Sequence, residues 1–336
     1  MTIFHDVTPT LDSRWRAIVL FGRNVASYKF ALASSLLKVR PGTSEVLSLG
    51  DLAVPFSQAI CEHLKLNDKQ ATSGSSRFLD ACRAFNRGEI TREALTTKTI
   101  QLGFNNVIDA FHVVAGGEVG VRFFLDEREA TGSIRLTDDF WKLRELLQAG
   151  SLGSEVQSRW RLVESAWSMG LTPRLIEADA NGDDLFVTGT RRQSVTSCRA
   201  ALNGYQKGRC FYCFREIALD AGAGLLPDVD HFFPWRLGQA GRRGLDGVWN
   251  LVLACQDCNR GKGGKMDRLP ALPLLERLHV RNTYLIESHH PLRETLLAQS
   301  GRTEAERKSF LQDQWDAARS AIIHTWQPAP LAEATF

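Results

Sequence analysis

The chain has 336 residues, of which 43% are hydrophobic and 24% are charged, and its formal net charge is +3. Such a chain is typical of an ordinary globular protein with two domains, or with one core and added helices. A net charge this small does not by itself indicate nucleic-acid binding. No apolar run approaches the roughly 18 to 20 residues that a membrane-spanning helix needs, which excludes such a helix.

Seven cysteines are present, which is an odd number, and no signal peptide precedes them. Four of them form two Cys-x-x-Cys pairs, whereas Cys61, Cys82 and Cys198 are scattered through segments with a helical pattern. This usage argues against a disulfide framework and favours a reducing compartment, where thiolates are available to bind metal. We therefore expect a soluble cytoplasmic protein.

The first part of the chain is predicted to be mainly helical, because its apolar residues recur at steps of three and four. A first helical segment begins at Asp12 or Ser13, continues to Leu37 and is interrupted near Gly22. Further predicted helices cover Leu47–Leu64, Arg77–Asn86 and Thr91–Thr97.

The pattern changes near residue 107. Phe111–Val114 and Val119–Leu125 predict a hairpin around a glycine turn, and Ser133–Thr137 predicts a third strand. The elements predicted next are helices over Phe140–Gln148 and Ser154–Met169, a strand at Leu185–Val187 and a helix over Ser194–Gln206. Beyond residue 270 we predict helices over Leu272–Ile286 and Leu292–Gln299, and a last helix that starts at the capping box of Thr303 and Glu306 and ends near Trp326.

The two cysteine pairs are Cys210/Cys213 and Cys255/Cys258, with 41 residues between them. Four thiolates complete a tetrahedral zinc site, and because such a site has no open position for substrate, the metal should be structural. The alternative is four buried or redox-active cysteines. The turn-like neighbours of both pairs favour zinc.

A histidine lies between the two pairs, in the segment Asp228-Val229-Asp230-His231, which alternates like a strand. His231 has the chemistry to take a proton from water, and Asp230, or another oxygen donor nearby, can hold a hard divalent cation. Strand alternation directs Asp230 and His231 to opposite sides unless the strand bends. Without the neighbouring cysteines, a histidine that only caps the strand end would be an equal alternative.

The segment after the last cysteine is rich in basic residues and glycine. Asn259 presents an amide oxygen next to Cys258, and Lys262 and Lys265 stand among glycines. These lysines form either a phosphate cradle or the solvated end of a helix. From Arg191 to Arg268 the chain has 13 Lys/Arg against 7 Asp/Glu, so a basic patch coincides with the candidate site.

The array Asp230-His231, Asn250 and Asn259 resembles the motif of HNH endonucleases, in the zinc-stapled version with asparagine in the third position. The resemblance covers about residues 205–268, less than a quarter of the chain. It implies a treble-clef-like ββα-metal fold in which His231 is the general base and Asp230 with Asn259 holds a catalytic Mg²⁺ or Mn²⁺. It also implies that Asn250 fixes the loop and helps to orient the histidine. The residues expected to meet nucleic acid are Arg236, Arg242, Arg243, Arg260, Lys262 and Lys265.

The expected fold class is therefore α+β: a mainly helical domain with a small sheet over residues 1–195, the HNH module over 196–270 and a helical extension over 271–336. The expected function is metal-dependent hydrolysis of DNA, and residues 1–195 would recognise DNA, bind a protein partner or control the nuclease. A role in anti-phage defence or restriction is an analogy. RNA cleavage and a non-catalytic zinc-ribbon nucleic-acid binder are the alternatives.

Overall fold

The computed structural model describes residues 10–20, 26–40, 44–73, 75–114, 117–146, 149–168, 176–178, 184–187, 193–204, 206–219, 226–234, 237, 245, 247–287 and 292–328. Helices and small sheets make up this part of the chain, so the predicted α+β class is confirmed. The described residues divide into two compact units, a first unit over residues 10–168 and a second unit over residues 176–328. This division differs from the predicted boundary at residue 195, because the strands of residues 176–197 belong with the second unit. None of the described helices is both long and apolar enough to cross a membrane.

The first unit is built mainly from helices around an aromatic core. Its helices are α1 (Leu11–Leu20), α2 (Tyr28–Leu37), α3 (Leu49–Leu66), α4 (Arg77–Asn86), α5 (Arg92–Lys98), α6 (Val107–Ala110), α7 (Arg128–Thr131), α8 (Asp138–Glu145) and α9 (Ala149–Ser168). Helix α2 is apolar over most of its length and is buried from Phe30 to Leu37, because α3 and α9 pack against it. The rings of Trp15, Phe56 and Trp160 are fully buried and fill the core.

The strands of the first unit form two small sheets. They are β1 (Val46–Ser48), β2 (Val113–Val114), β3 (Gly117–Glu118), β4 (Phe124–Glu127) and β5 (Ser133–Leu136). The predicted hairpin is present but shorter than expected: only two residues on each side pair, as β2 and β3, and Phe124–Glu127 pairs with β5 as β4 instead of extending the hairpin. Gly120 has φ +72 and turns the chain between β3 and β4, which ends the first pairing. The predicted third strand is confirmed as β5, which lies between β1 and β4.

A buried ion pair connects α1 to α9. The guanidinium of Arg16 donates two parallel hydrogen bonds, from Nε (2.8 Å) and Nη2 (2.9 Å), to the two carboxylate oxygens of Glu155. A third hydrogen bond from Arg16 goes to Asp12. Although burial lowers the pKa of Arg16, the charges of Glu155 and Asp12 raise it above its ordinary value. The arginine therefore remains charged inside the core.

We expect Glu155→Ala to destabilise the first unit by about 3–5 kcal/mol, because it removes the carboxylate charge and the two hydrogen bonds that Glu155 provides to the buried guanidinium of Arg16. Urea unfolding measures this change. Glu145 is an exposed glutamate of α8 and supplies the control: Glu145→Ala should change stability by less than about 0.5 kcal/mol. Equal effects of the two substitutions would contradict the prediction.

The second unit combines three small sheets with five α-helices and one 3₁₀-helix, Val248–Asn250, among the residues described. Its strands are β6 (Ile176–Ala178), β7 (Asp184–Val187), β8 (Gln193–Ser197), β9 (Asp228–His231), β10 (Leu251–Ala254), β11 (Leu269–Pro270) and β12 (Thr325–Trp326). Its helices are α10 (Cys198–Asn203), α11 (Gln256–Asn259), α12 (Leu272–Glu287), α13 (Arg293–Ser300) and α14 (Glu304–Ala321). Strands β6, β7 and β8 form one antiparallel sheet, and β9 pairs with β10 in another.

Two helix predictions in this unit need correction. The predicted helix Ser194–Gln206 begins as strand β8, which pairs with β7, and only Cys198–Asn203 is helical. Val195 and Thr196 are β-branched, which favours a strand there. The last helix begins at the predicted capping box but ends at Ala321, and Thr325–Trp326 pairs in parallel with Leu269–Pro270.

Candidate functional site around the four cysteines

The four cysteines come together as the sequence predicts. The Sγ atoms of Cys210, Cys213, Cys255 and Cys258 all lie within 4.8 Å of one another, and all four residues are buried. A tetrahedral zinc ion with Zn–S bonds of about 2.3 Å separates its sulfur ligands by about 3.8 Å. The distance between the sulfurs of Cys213 and Cys255 is 3.7 Å. The cluster can hold a metal ion, and its four-sulfur donor set and its size both fit zinc.

The four thiols of this cluster shift one another's pKa values through their mutual contacts. A hydrogen bond with Cys210 lowers the pKa of Cys213 and lowers that of Cys255 to about 7. The same contacts raise the pKa of Cys210 and of Cys258 above the ordinary value. Four thiolates at this spacing repel one another, so a cation is what allows all four to be deprotonated together.

The first cysteine turn is attached to strand β10 by backbone and side-chain hydrogen bonds. The N–H of Phe211 donates to the carbonyl of Leu253 at 2.9 Å. The buried amide of Gln206 donates to the Leu253 carbonyl at 2.8 Å and accepts from the Leu253 N–H at 2.7 Å. Gln206 therefore pairs with the free edge of β10 as a neighbouring strand would, and it sets the first cysteine pair beside the second.

The second cysteine turn is formed by the short helix α11 and by the turn that follows it. Cys255 is the N-cap of α11, and Asn259 is its last residue. The chain then folds back, so that the N–H of Lys265 donates to the carbonyl of Cys258 and the N–H of Met266 to that of Asn259. A Cβ at Gly261 would lie 2.7 Å from the backbone of α11, so only glycine allows this close return.

His231 is the last residue of β9, which pairs antiparallel with β10. In the register of this pair, Asp230 is opposite Val252 and His231 is opposite Leu251. Successive side chains of a strand point to opposite faces, so Asp228 and Asp230 share one face and His231 is on the other. The register of the pair continues without a shift from Asp228 to His231. The position of His231 therefore depends on the turn that follows it.

Asn250 closes that turn. Its Oδ1 accepts from the N–H of Phe233 at 2.8 Å, and its Nδ2 donates to the carbonyls of Phe233 (3.1 Å) and Leu245 (2.8 Å). The side chain is fully buried, so water does not compete for these bonds. Asn250 thus ties β10 to the segment just after His231, which is the loop-fixing arrangement that the resemblance implies.

Asp230 is buried in an ion pair. Its Oδ2 accepts from the hydroxyl of Tyr212 at 2.5 Å, and its Oδ1 accepts from Nζ of Lys265 at 3.0 Å. Burial and the charge of Asp230 raise the pKa of Tyr212 well above its ordinary value, so the phenol stays protonated and donates. Each oxygen of this carboxylate already has a donor, and one donor is an ammonium group that repels a second cation. This placement fits the predicted metal ligand poorly.

Lys265 also differs from its predicted role as a phosphate contact. Its side chain is 1% exposed, and its ammonium group donates to Asp230 and to the carbonyl of Met266. The backbone return that follows α11 carries Lys265 into the interior, whereas Lys262 stays on the surface. We therefore place Lys265 in the core and leave it out of the phosphate-binding surface.

We expect Lys265→Met to destabilise the second unit by about 3–5 kcal/mol, because the charge of Asp230 would remain buried without its cation. The matched control is Lys262→Met, which removes an exposed lysine and should change stability by less than about 0.5 kcal/mol. Urea unfolding of both variants decides the matter. Lys265 would be a surface residue after all if the two substitutions had the same small effect.

Asn259 lies beside Asp228 at the edge of this buried group. Its Nδ2 donates to Oδ2 of Asp228 at 3.1 Å, and Nε of Arg260 lies 3.0 Å from the same oxygen. The side chain of Asp228 is 19% exposed and that of Arg260 is 62% exposed. Arg260 and Lys262 are thus the predicted nucleic-acid contacts that the structure places on the surface. Arg236, Arg242 and Arg243 lie outside the described residues.

Helix α12 holds the first cysteine turn from the other side. Arg277 donates to the carbonyls of Phe211 and Tyr212, and its guanidinium lies 4.1 Å from the ring centroid of Phe214. Burial lowers the pKa of Arg277 to about 10, while the charges of the nearby cysteines raise it. A zinc ion with four thiolates carries net negative charge, which this arginine partly offsets.

Several residues of the site were not identified from the sequence. The sequence did contain a signal for Asp228: Asp228 and Asp230 are two positions apart on a predicted strand, so their side chains share a face. The sequence contained no such signal for Gln206, Tyr212 and Arg277, because the residues that they contact lie far away along the chain. Comparison of the chain with family models, curated proteins and solved structures finds no match.

Proposed function

We propose that the second unit is a metal-dependent nuclease of the HNH class that hydrolyses phosphodiester bonds in DNA. The proposal rests on three features that occur together. Strand β9 ends in His231 and pairs with β10, Asn250 closes the turn after His231, and the four-cysteine cluster joins the segment before β9 to the segment after β10. Arg260 and Lys262 follow Asn259 in the chain, and both are exposed, so they are available to contact phosphates. The arrangement corresponds to the strand, loop, strand and helix order that the motif implies.

In this proposal His231 accepts a proton from the attacking water, which requires its neutral imidazole. Asn250 restrains the turn after His231, so that the ring keeps one position relative to the substrate. A divalent cation near Asn259, when bound, neutralises charge that develops on the scissile phosphate. Arg260 and Lys262 contact the phosphates of the backbone and position the strand without reading its bases.

One observation favours the alternative of a non-catalytic zinc-ribbon nucleic-acid binder. Asp230, the expected ligand of the catalytic cation, is already engaged by Lys265 and Tyr212. A protein of this kind would bind nucleic acid through its basic surface and would cut nothing. RNA as the substrate is a further alternative, because the phosphate contacts do not distinguish the two nucleic acids.

The decisive experiment incubates the zinc-loaded protein with plasmid DNA, single-stranded DNA and single-stranded RNA, each with Mg²⁺, with Mn²⁺ and with EDTA. The proposal expects cleavage of DNA with one of the divalent cations and none with EDTA. Binding without cleavage on every substrate would favour the zinc-ribbon alternative. Cleavage of RNA alone would show that the substrate is RNA and would still support phosphodiester hydrolysis as the reaction.

The role of the first unit is also a proposal. Its helices offer no sequence motif that names a ligand, so DNA recognition, docking of a protein partner and control of the nuclease stay predictions, as does a place in anti-phage defence. Pull-down with the first unit, residues 10–171, as bait, and a gel-shift assay with the same unit on DNA, distinguish docking from recognition.

A further inference from the structure

We infer that Met266 and Ile323 form an apolar wedge that inserts between the base pairs of bound duplex DNA. The inference deepens the proposed nuclease and rests on it, because the wedge stands beside the basic residues that would contact the phosphates. Two kinds of contact then divide the work on this surface. The basic side chains bind the backbone, and the wedge unstacks the bases.

The large apolar side chains that the second unit exposes lie around one strand pair. Among its described residues they are Met266, Leu272 and Ile323, and all three are within three positions of the parallel pair of β11 and β12. Because the strands run parallel, Met266 before β11 and Ile323 before β12 are at the same end of the pair, whereas Leu272 is at the other end. Met266 is 62% exposed and Ile323 is 77% exposed. Such a grouping is typical of an interaction surface.

The backbone of Met266 is held in a conformation that methionine disfavours. Its φ is +49, in the left-handed region that glycine enters readily and a residue with a Cβ does not. Lys207 and Phe214 are the other non-glycine residues with positive φ among those described, and both are buried, so packing accounts for them. Met266 is exposed, so packing of its side chain does not account for its conformation. A conformation kept at this cost on the surface indicates contact with another molecule.

Hydrogen bonds fix Met266 on both sides. Its N–H donates to the carbonyl of Asn259 at 2.8 Å, and its carbonyl accepts from Nζ of the buried Lys265 at 3.1 Å. The segment before it is attached to β12, because Nε1 of Trp326 donates to the carbonyl of Gly263 at 2.7 Å. The methionine is thus presented on a restrained loop, and little backbone freedom is lost when its side chain inserts.

Basic side chains stand next to both apolar residues, which favours nucleic acid as the partner. The N–H of Met266 bonds to the residue that precedes the exposed Arg260. Arg319, which is exposed in the last turn of α14, donates to the carbonyl of Ile323. Over residues 260–268 the side chains that are not buried carry three positive charges and one negative charge. A polyanion with apolar base faces inside it matches a surface of this composition.

An inserted side chain acts on the shape of the duplex. Methionine and isoleucine wedges separate two stacked base pairs and kink the DNA. Unstacking costs least at pyrimidine–purine steps, which are the most flexible ones. The wedge therefore predicts a preference for such steps that does not depend on hydrogen bonds to the bases.

The test measures binding of the full-length, zinc-loaded protein, without added Mg²⁺ or Mn²⁺, to duplex DNA that carries 2-aminopurine at a pyrimidine–purine step. This base fluoresces more strongly when it is unstacked, and saturating wild-type protein should raise its fluorescence at least about twofold. The double variant Met266→Gly with Ile323→Ser should bind at least about tenfold more weakly and should abolish the rise. Because glycine readily adopts a positive φ, the melting temperature of Met266→Gly should stay the same or increase.

Two controls separate the wedge from other contacts. Leu272→Ser removes an exposed apolar side chain from the other end of the strand pair, and it should leave affinity and fluorescence within about twofold of wild type. Lys262→Met removes a phosphate contact, so it should weaken binding and keep the fluorescence rise at saturation. If Met266→Gly is unstable, Met266→Asn replaces it, because asparagine also tolerates a positive φ.

Unchanged affinity and fluorescence in the double variant overturn the inference, as does wild-type protein that binds DNA without unstacking it, or that binds no duplex DNA. A large fall in melting temperature in both Met266 variants would give this side chain a structural role and also overturns it. So does a double variant whose sedimentation without DNA changes while its DNA binding stays the same, because the surface would then join protein to protein.

Cleavage assays on the same samples with Mg²⁺ separate this inference from the proposed function. Protein that unstacks duplex DNA through Met266 and Ile323 and cuts no substrate contradicts the nuclease and leaves the wedge standing. Protein that binds and cuts DNA equally well with and without the two apolar side chains supports the nuclease and overturns the wedge.

Discussion

Replacing His231 with alanine should lower the rate of DNA cleavage by about 10²–10⁴-fold, the contribution of a positioned general base. The imidazole is the group at the end of β9 that can accept a proton from water near neutral pH, and alanine leaves the water without an acceptor. Stability should change little, because His231 is only half-buried at a strand end. The measurement is the cleavage rate under saturating Mg²⁺, together with the melting temperature.

The control for this prediction is His324→Ala, which removes an exposed histidine from the same unit and should leave cleavage unchanged. DNA binding is measured in parallel, because a positioned base contributes to the rate and hardly to affinity. A His231→Ala protein that cuts as fast as wild type under every metal would show that another group activates the water. Equal losses in cleavage and in binding would point to a substrate contact.

Replacing Cys258 with serine should release the metal and unfold the second unit. Structural zinc contributes about 10–16 kcal/mol to the folding of small zinc domains, whereas whole domains are stable by only about 5–15 kcal/mol. Serine binds zinc far more weakly than a thiolate does. We expect metal analysis to fall from one zinc per chain to well below one, and protease to cleave residues 172–336 while the first unit resists.

Cys198→Ser supplies the matched control, because Cys198 is a buried cysteine of the same unit outside the cluster. It should keep its zinc and lose about 1–3 kcal/mol, the cost of a buried hydroxyl. A chelator strong enough to remove zinc from the wild type should reproduce the effect of Cys258→Ser. Unchanged zinc content and melting temperature in Cys258→Ser would show that the cluster holds no structural metal.

The elements that the sequence predicted correctly are those whose pattern is local. Helices α4, α5 and α12 follow the period of their apolar residues, and the capping box of Thr303 and Glu306 starts α14 where it was expected. Several of the predictions that needed correction concern which strands pair with which. Whether Phe124 joins a hairpin with residues 111–114 or pairs with Leu136 depends on contacts that no local pattern records.

The same limit applies to the basic residues after Cys258. Lys262 and Lys265 have similar neighbours in the sequence, since both stand next to glycine in one short segment. The structure exposes the first and buries the second against Asp230, which lies 35 positions earlier. The chain folds back on α11 after Asn259, and this return brings Lys265 against Asp230 of strand β9 while Lys262 stays in solvent.

The cysteine cluster at Cys210–Cys258 is what the sequence by itself determined. A Cys-x-x-Cys turn brings two thiolates together through local backbone geometry, and two such turns leave few arrangements other than a common metal ion. The difference between Asp228 and Asp230 belongs to the tertiary structure. Strand alternation places both carboxylates on one face and makes them equivalent, and only the packing of Tyr212 and Lys265 around Asp230 separates a buried ion pair from a partly exposed carboxylate.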